Sequence, residues 1–399
     1  MPGPRRAWLT VIVIGFIFTI ATGLGFYALS LYLAVLTQSR GFALTTVSFA
    51  VSAFFLVSAV ANVPLGRLIR WVEPRWVMLG GSAASALSLL LLGRVDAVWQ
   101  LYLIFTLFGC GFSASSYLPG TAVIVQLFDR NRARALAIAL TGGSVGGVVV
   151  APVLSRILAA HGLAASTPWL GLAYLVLAGV PAVLFIRGPL TAPPPSPAQT
   201  GAAPAGAGVS YARAVRTLAF SVVTVAFGVL MADQVGTQVQ IVTIGTAKGV
   251  GNAGVAVSLM AGASIVGRLV GAFTLSRLPV VGFSAAMGVL QAVSFAVLAL
   301  VPGLTGLVAG TALFGITIGN LTVLIPLVVV ELFGTADYPR IYAVSQLGSS
   351  VGAAVGPALL AALHSGFGGY QLPLLIVAGL SVLAAAAVAR LRPVTGLLR

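Results

Sequence analysis

Twelve stretches of apolar residues, each long enough to cross a bilayer, follow one another along the chain. A spanning helix needs about 20 such residues. Six runs cover 8–35, 45–69, 75–93, 98–128, 133–160 and 168–187. Six more cover 214–244, 251–275, 281–301, 304–332, 340–364 and 370–391. The fold class expected is an all-α membrane protein of twelve transmembrane helices in two six-helix bundles. Residues 1–187 form the N-terminal bundle and 213–399 the C-terminal one. Between them, residues 188–212 read as a cytoplasmic linker rich in Pro, Ala and Gly. Its Pro193, Pro194, Pro195 and Pro197 disfavour helix and suit an exposed, partly polyproline segment.

Composition supports the same class. Of 399 residues 59% are hydrophobic and 7% charged, and the mean hydropathy is +1.11, far outside the range of soluble domains. The net charge of +15 would suggest nucleic-acid binding in a soluble chain. Here the bases lie between apolar runs, so they fix topology and no nucleic-acid partner is expected. With the N-terminus inside, sixteen of the 21 bases are cytoplasmic, among them Arg5, Arg6, Arg67, Arg70, Arg75, Arg130, Arg132 and Arg134. Four lie outside, namely Arg40, Arg94, Arg156 and Lys248, and Arg268 lies within a helix. That bias predicts both termini in the cytoplasm of a protein in the cell's inner (plasma) membrane. The first run follows Arg5 and Arg6 as a signal peptide would, but it is about thirty residues long without a clear cleavage site, so it reads as the first span. One cysteine, Cys110, and two histidines, His161 and His364, give no basis for a disulfide framework, a metal site or a cofactor. A monomer is the simplest expectation.

The chain repeats itself. Leu127 and Phe128, an arginine cluster, then Gly142, Gly143, Ser144, Gly146, Gly147 and Pro152 return as Leu332, Phe333, Arg340, Ser350, Gly352 and Pro357. Arg134 precedes Ser144 by the same interval as Arg340 precedes Ser350. Upstream, Leu107, Phe108 and Gly109 recur as Leu313, Phe314 and Gly315. Duplication gives two halves in parallel orientation, and paired bundles of that kind enclose a path near the bilayer midplane and rock about it. A transporter is implied. The glycines have the spacing that lets helices approach closely, and they are expected to mark a packed joint where the halves slide. Pro152 and Pro357 should kink or end the run.

Arg268 is the sharpest single residue. It lies nine residues before Arg277, roughly 13 Å inside the cytoplasmic end. A charge there costs about 2.5 to 3.5 kcal/mol even on the lenient insertion scale, so it should face a partner or a wet cavity. Guanidinium binds carboxylate through two parallel hydrogen bonds, which makes Arg268 the candidate anion site. A structural pair with Asp233, or snorkelling to the surface, is the alternative. Asp233 is the one acid well inside a span and is the candidate proton carrier; a place in the outer vestibule or a packing contact is its bland reading. Tyr27, Tyr117, Asn320 and Gln346 are the polar candidates to line a substrate path.

The residues at this point resemble the major facilitator superfamily over the whole chain. Gly66, Arg67 and Leu68, ending in Pro74, Arg75 and Trp76, stand where that family has a glycine-x-leucine-x-aspartate-arginine signature. Arg70 replaces the usual aspartate and Glu73 the usual glycine, so an ionic latch would need Glu73 with other partners. In the second half, Leu275 stands where the acid is expected. The fifth-span pattern, its echo through Gly352, Pro357, Gly368 and Tyr370, and Gly267, Arg268, Leu269 and Gly271 resemble the monocarboxylate and oxalate/formate branches. That resemblance implies an arginine pairing with the substrate carboxylate, a tyrosine at the depth of Tyr117, and alternating access driven by a proton or a counter-anion. No lysine lies in the eleventh run, which argues for a monoanion. An exporter of drugs or of neutral or cationic metabolites using Asp233 is the alternative. An intramembrane enzyme lacks paired carboxylates and a nucleotide-binding loop.

Overall fold

The computed structural model describes residues 4–128, 132–186, 208–275, 277–334 and 336–392. Asp129, Arg130, Arg187, Arg399 and residues 188–207 of the expected linker lie outside that set. The chain divides into two compact units, Met1–Pro195 and Ser196–Arg399. Apart from one isolated bridge between Gly208 and Gly334, the described residues are helices, turns and loops.

In the first unit, α1 (Arg5–Ser39) is followed by α2 (Leu44–Trp71), α3 (Pro74–Leu92) and α4 (Val98–Leu127). A continuous helical stretch, Arg134–Phe185, comes next. It is two spans: Gly162 within it has φ 72° and ψ 174°, a left-handed conformation that glycine adopts at little cost. We call the parts α5 (132–161) and α6 (163–185). The sixth run was expected to begin at Pro168, but helix resumes directly after Gly162. Pro168, the sixth residue after the break, is carried within the helix at the loss of one hydrogen bond, since it cannot donate to the Ala164 carbonyl.

α1 widens into a π-helical turn at Thr22–Tyr27, and α5 does so at Gly146–Val150. The two wide turns face each other, since a Cβ on Gly23 would collide with the Val150 side chain. α4 breaks at Ser116 and restarts at Tyr117. Pro119 cannot donate to the Ser115 carbonyl, which favours a break here.

The second unit opens with a short turn of helix, Tyr211–Ala214, and α7 (Leu218–Ala247) begins after it. The seventh run was expected from residue 214. The start moves because Thr217 caps α7, its Oγ accepting from the Phe220 amide at 3.2 Å. α8 (Val255–Leu275), α9 (Val280–Leu300), α10 (Gly303–Phe333), α11 (Tyr338–Phe367) and α12 (Gln371–Ala389) follow. Phe227, Leu230, Leu324, Val328 and Phe333 are sealed in its core.

Lipid is as apolar as leucine, so close packing and hydrogen bonds hold such helices together. The repeated glycines supply the closeness inside each unit. In the first, a Cβ on Gly142 or Gly146 would collide with the Gly15 or Thr19 carbonyl oxygen of α1. Thr19 and Thr22 of α1 donate across the seam to the Gly142 and Gly143 carbonyls, at 3.0 and 2.8 Å. Gly147 is buried in the π-helical turn beside them, and Pro152 lies just beyond it in the resumed α-helix. In the second unit Gly348, Gly352 and Gly356 of α11 meet Thr224, Gly228 and Ala232 of α7. Each fifth span is thus seated on the first span of its own half. Within each unit these glycines build the bundle itself. Pro357 lies within α11, where it neither ends the helix nor opens a π turn like that of α5.

Candidate functional site

α8 and α10 approach so closely that side chains are excluded from the seam. A Cβ on Gly315 would press on Met260 and Ala263, one on Gly267 on the Ile316 backbone, and one on Gly319 on the Ser264 carbonyl oxygen. Arg268, the fourteenth of the 21 residues of α8, emerges beside this seam. It lies about 20 Å along the helix from Val255 at 1.5 Å per residue. Its stem runs against Gly319, where a Cβ would come within 3.1 Å of Cγ.

The guanidinium is half-buried, and its hydrogen bond among the described residues is from Nε to the Gly319 carbonyl, at 3.4 Å. That is the long end of the range. Among the described residues the ion pairs are Arg40 with Asp96 and Arg75 with Glu73. Arg268 therefore pairs with no acid among the described residues, and the structural pair with Asp233 that the sequence left open is not made. The Nη groups, which would form the bidentate fork, are not engaged by the described protein.

Asn320 is next to this point, as expected of a site residue, but its amide is used for packing. Nδ2 donates to the Gly267 and Ile316 carbonyls, both at 2.9 Å, and the side chain fills the space a Cβ on Gly271 would need. Through its amide nitrogen Asn320 clamps the backbone beside Arg268. Gln346 lies elsewhere, on α11, where its Oε1 accepts from the Tyr342 hydroxyl at 3.1 Å.

The tyrosine candidates belong to the first unit. Tyr117 opens the second segment of α4, 37% exposed, its ring 4.9 Å from that of Phe18 and its hydroxyl over Gly143. Tyr27 is buried at the end of the π-helical turn of α1, edge-on to Phe26. The signature stretch pairs locally: Arg75 Nε meets Glu73 Oε2 at 2.7 Å and stacks over Trp76. The partner that Glu73 finds is thus its near neighbour. A Cβ on Gly66 would meet nothing within 4 Å, so Gly66 is not a packing glycine.

Asp233 faces α12, away from the α8–α10 seam. Its Oδ2 accepts from Ser381 Oγ at 2.8 Å. Gln291 of α9 donates to the Leu230 carbonyl at 3.1 Å and to Ser381 Oγ at 3.3 Å. Ser381, Gln291 and Gly319 were not singled out from the sequence. Gly319 had a usable signal, because Gly315 and Gly319 share the four-residue spacing of Gly267 and Gly271. A serine and a glutamine in apolar helices carried none.

The sequence matches the profile of a known family over residues 15–299. The chain belongs to the Major Facilitator Superfamily. It is 26% identical over 346 residues to monocarboxylate transporter 11 of Homo sapiens, covering 82% of this chain and 70% of that protein. A shorter match, 34% over 118 residues, is to monocarboxylate transporter 12 of Homo sapiens and spans 29% of this chain but 21% of that protein. Among solved structures, the nucleoside transporter NupG superposes with a TM-score of 0.75 at 16% identity, covering 96% of this chain and 98% of that one. A bacterial homolog of the human lysosomal transporter Spinster, inward-facing and occupied, gives 0.70 at 13%, covering 97% of each chain. At such identities the likeness is one of fold. As a superfamily member the chain is a multi-pass membrane transporter of a small molecule, not an enzyme.

Proposed function

We propose that the chain moves a small organic monoanion of the monocarboxylate kind across the cytoplasmic membrane by alternating access, with both termini in the cytoplasm. One observation carries this reading: Arg268, deep in α8, has no acid to neutralise it among the described residues and keeps its fork free of protein hydrogen bonds. An uncompensated intramembrane charge needs a ligand or water, and a planar fork selects carboxylate. The partial similarity to monocarboxylate transporters 11 and 12 supports the same class. Because α11 contains no lysine and its one arginine, Arg340, stands in the first turn, a second carboxylate would find no lysine or arginine deeper in that helix, which favours monoanions.

Uptake of labelled lactate, pyruvate, formate and oxalate into proteoliposomes tests the reading. Saturable uptake of one or more monoanions, with oxalate poorly carried, is the expected outcome. Transport confined to neutral or cationic solutes would replace it with the second reading, an exporter that relies on Asp233. The observation favouring that alternative is that Asp233 also lacks an ionic partner among the described residues.

A further inference from the structure

α7, α9 and α12 meet inside the second unit, where Gly288 lets Ala385 and Leu230 come close; a Cβ on it would lie 2.9 Å from the Ala385 Cβ. Three polar side chains close at this level. Asp233 is 2% exposed, and Gln291 and Ser381 are 0% exposed. The Ser381 hydroxyl hydrogen goes to Asp233 Oδ2. The two amide hydrogens of Gln291 go to the Leu230 carbonyl and to Ser381 Oγ. Every side-chain hydrogen in the cluster is then used, and two oxygens are left without a donor: Asp233 Oδ1 and Gln291 Oε1. The cluster is short of one hydrogen.

We propose that Asp233 carries that proton, donating from Oδ1 to Gln291 Oε1, and that this ring is the seat of the coupling proton. Each member would both give and accept: Asp233 to Gln291, Gln291 to Ser381, Ser381 to Asp233. Among the described residues the ionised form has one hydroxyl hydrogen bond, from Ser381, and no cation to support it. A buried charge is expensive unless paired, and α7, α9 and α12 contain no other ionisable side chain within their ranges. Of the remaining neighbours, α11 bears Tyr338, Arg340, Tyr342 and His364, but it meets α7 along Gly228 and Ala232. Arg268 of α8 bonds to Gly319, and Glu331 of α10 accepts from the Val280 amide.

Loss of the proton has a mechanical consequence. Gln291 would turn its amide hydrogens toward the carboxylate and release the Leu230 carbonyl, so the contact of α7 with α9 reads the occupancy of Asp233. The proposal rests on the chain being a transporter, but not on Arg268 or on the identity of the substrate.

Infrared spectra of the reconstituted full-length protein test it without any substrate. Wild type should show a protonated-carboxyl stretch that disappears in Asp233→Asn. That variant should unfold at the wild-type temperature, because its amide supplies the missing donor. With any substrate that wild type accumulates, proton-driven accumulation should fall roughly tenfold or more in Asp233→Asn, while exchange of labelled for unlabelled substrate stays within about twofold. The proposal is overturned if the variant loses no such band, if its proton-driven accumulation persists, or if a sodium gradient drives wild type instead. Failure of the Arg268 reading alone would change which solutes are carried and leave the infrared band in place.

Discussion

At the scale of single residues, Arg268 depends on atoms that do no binding themselves. Gly319 gives its stem room and Asn320 fixes the Gly267 carbonyl beside it. Gly319→Ala would drive a methyl into the Ser264 carbonyl, and overpacking of this kind costs about 1–3 kcal/mol. The expected result is a lower unfolding temperature in detergent; an unchanged one would mean the seam yields more easily than its geometry implies. Asn320→Ala should cost about 1–3 kcal/mol through the loss of two side-chain hydrogen bonds. If Asn320 is a clamp, the loss appears in thermal stability and not as a selective rise in KM. The charge of Arg268 stood out in the sequence because an arginine in an apolar run is conspicuous. Asn320 stood out for the same reason, but its packing role was not legible, because an amide that binds a ligand and one that binds two carbonyls look alike without the neighbouring helix.

At the scale of elements, the repeated glycines mark where the first and fifth spans of each half touch. Gly142→Ala and Gly352→Ala should each destabilise by about 1–3 kcal/mol, since both would strike backbone. Gly66→Ala, facing open space, should be neutral or stabilise α2 by up to about 1 kcal/mol. Thermal unfolding of the three variants side by side decides this, and equal losses in all three would remove the distinction. The spans themselves were legible because their length and apolarity are set by lipid. The division at Gly162 was not, because an alanine-rich stretch followed by one glycine does not announce a left-handed residue, and Pro168 offered a more obvious start. The π-helical turns of α1 and α5 were equally hidden, since the contact of Gly23 with Val150 beside them joins residues far apart in the chain.

At the scale of the whole molecule, the duplication and the distribution of arginines carry most of what the chain says about itself. Cysteine labelling from outside intact cells should reach Asp96→Cys, in the loop between α3 and α4, but not Arg5→Cys or Arg392→Cys; labelling of either terminus would reverse the orientation. Substrate was far less legible than fold, because a shared fold hosts many cargoes and the second-half residues that differ from the first have no repeat to flag them. Choice of cargo rests on whether one unpaired guanidinium meets a carboxylate. The most direct measurement is saturable uptake of labelled lactate or pyruvate into proteoliposomes by wild type, Arg268→Lys and Arg268→Ala, with unfolding temperatures to confirm intact protein. Loss of a hydrogen bond to a charged group is worth about 1.5–3 kcal/mol. Uptake efficiency should therefore fall roughly tenfold or more in Arg268→Ala, and Arg268→Lys should recover only part of it. Carboxylate uptake that survives Arg268→Ala unchanged would contradict the assignment of this residue as the anion site.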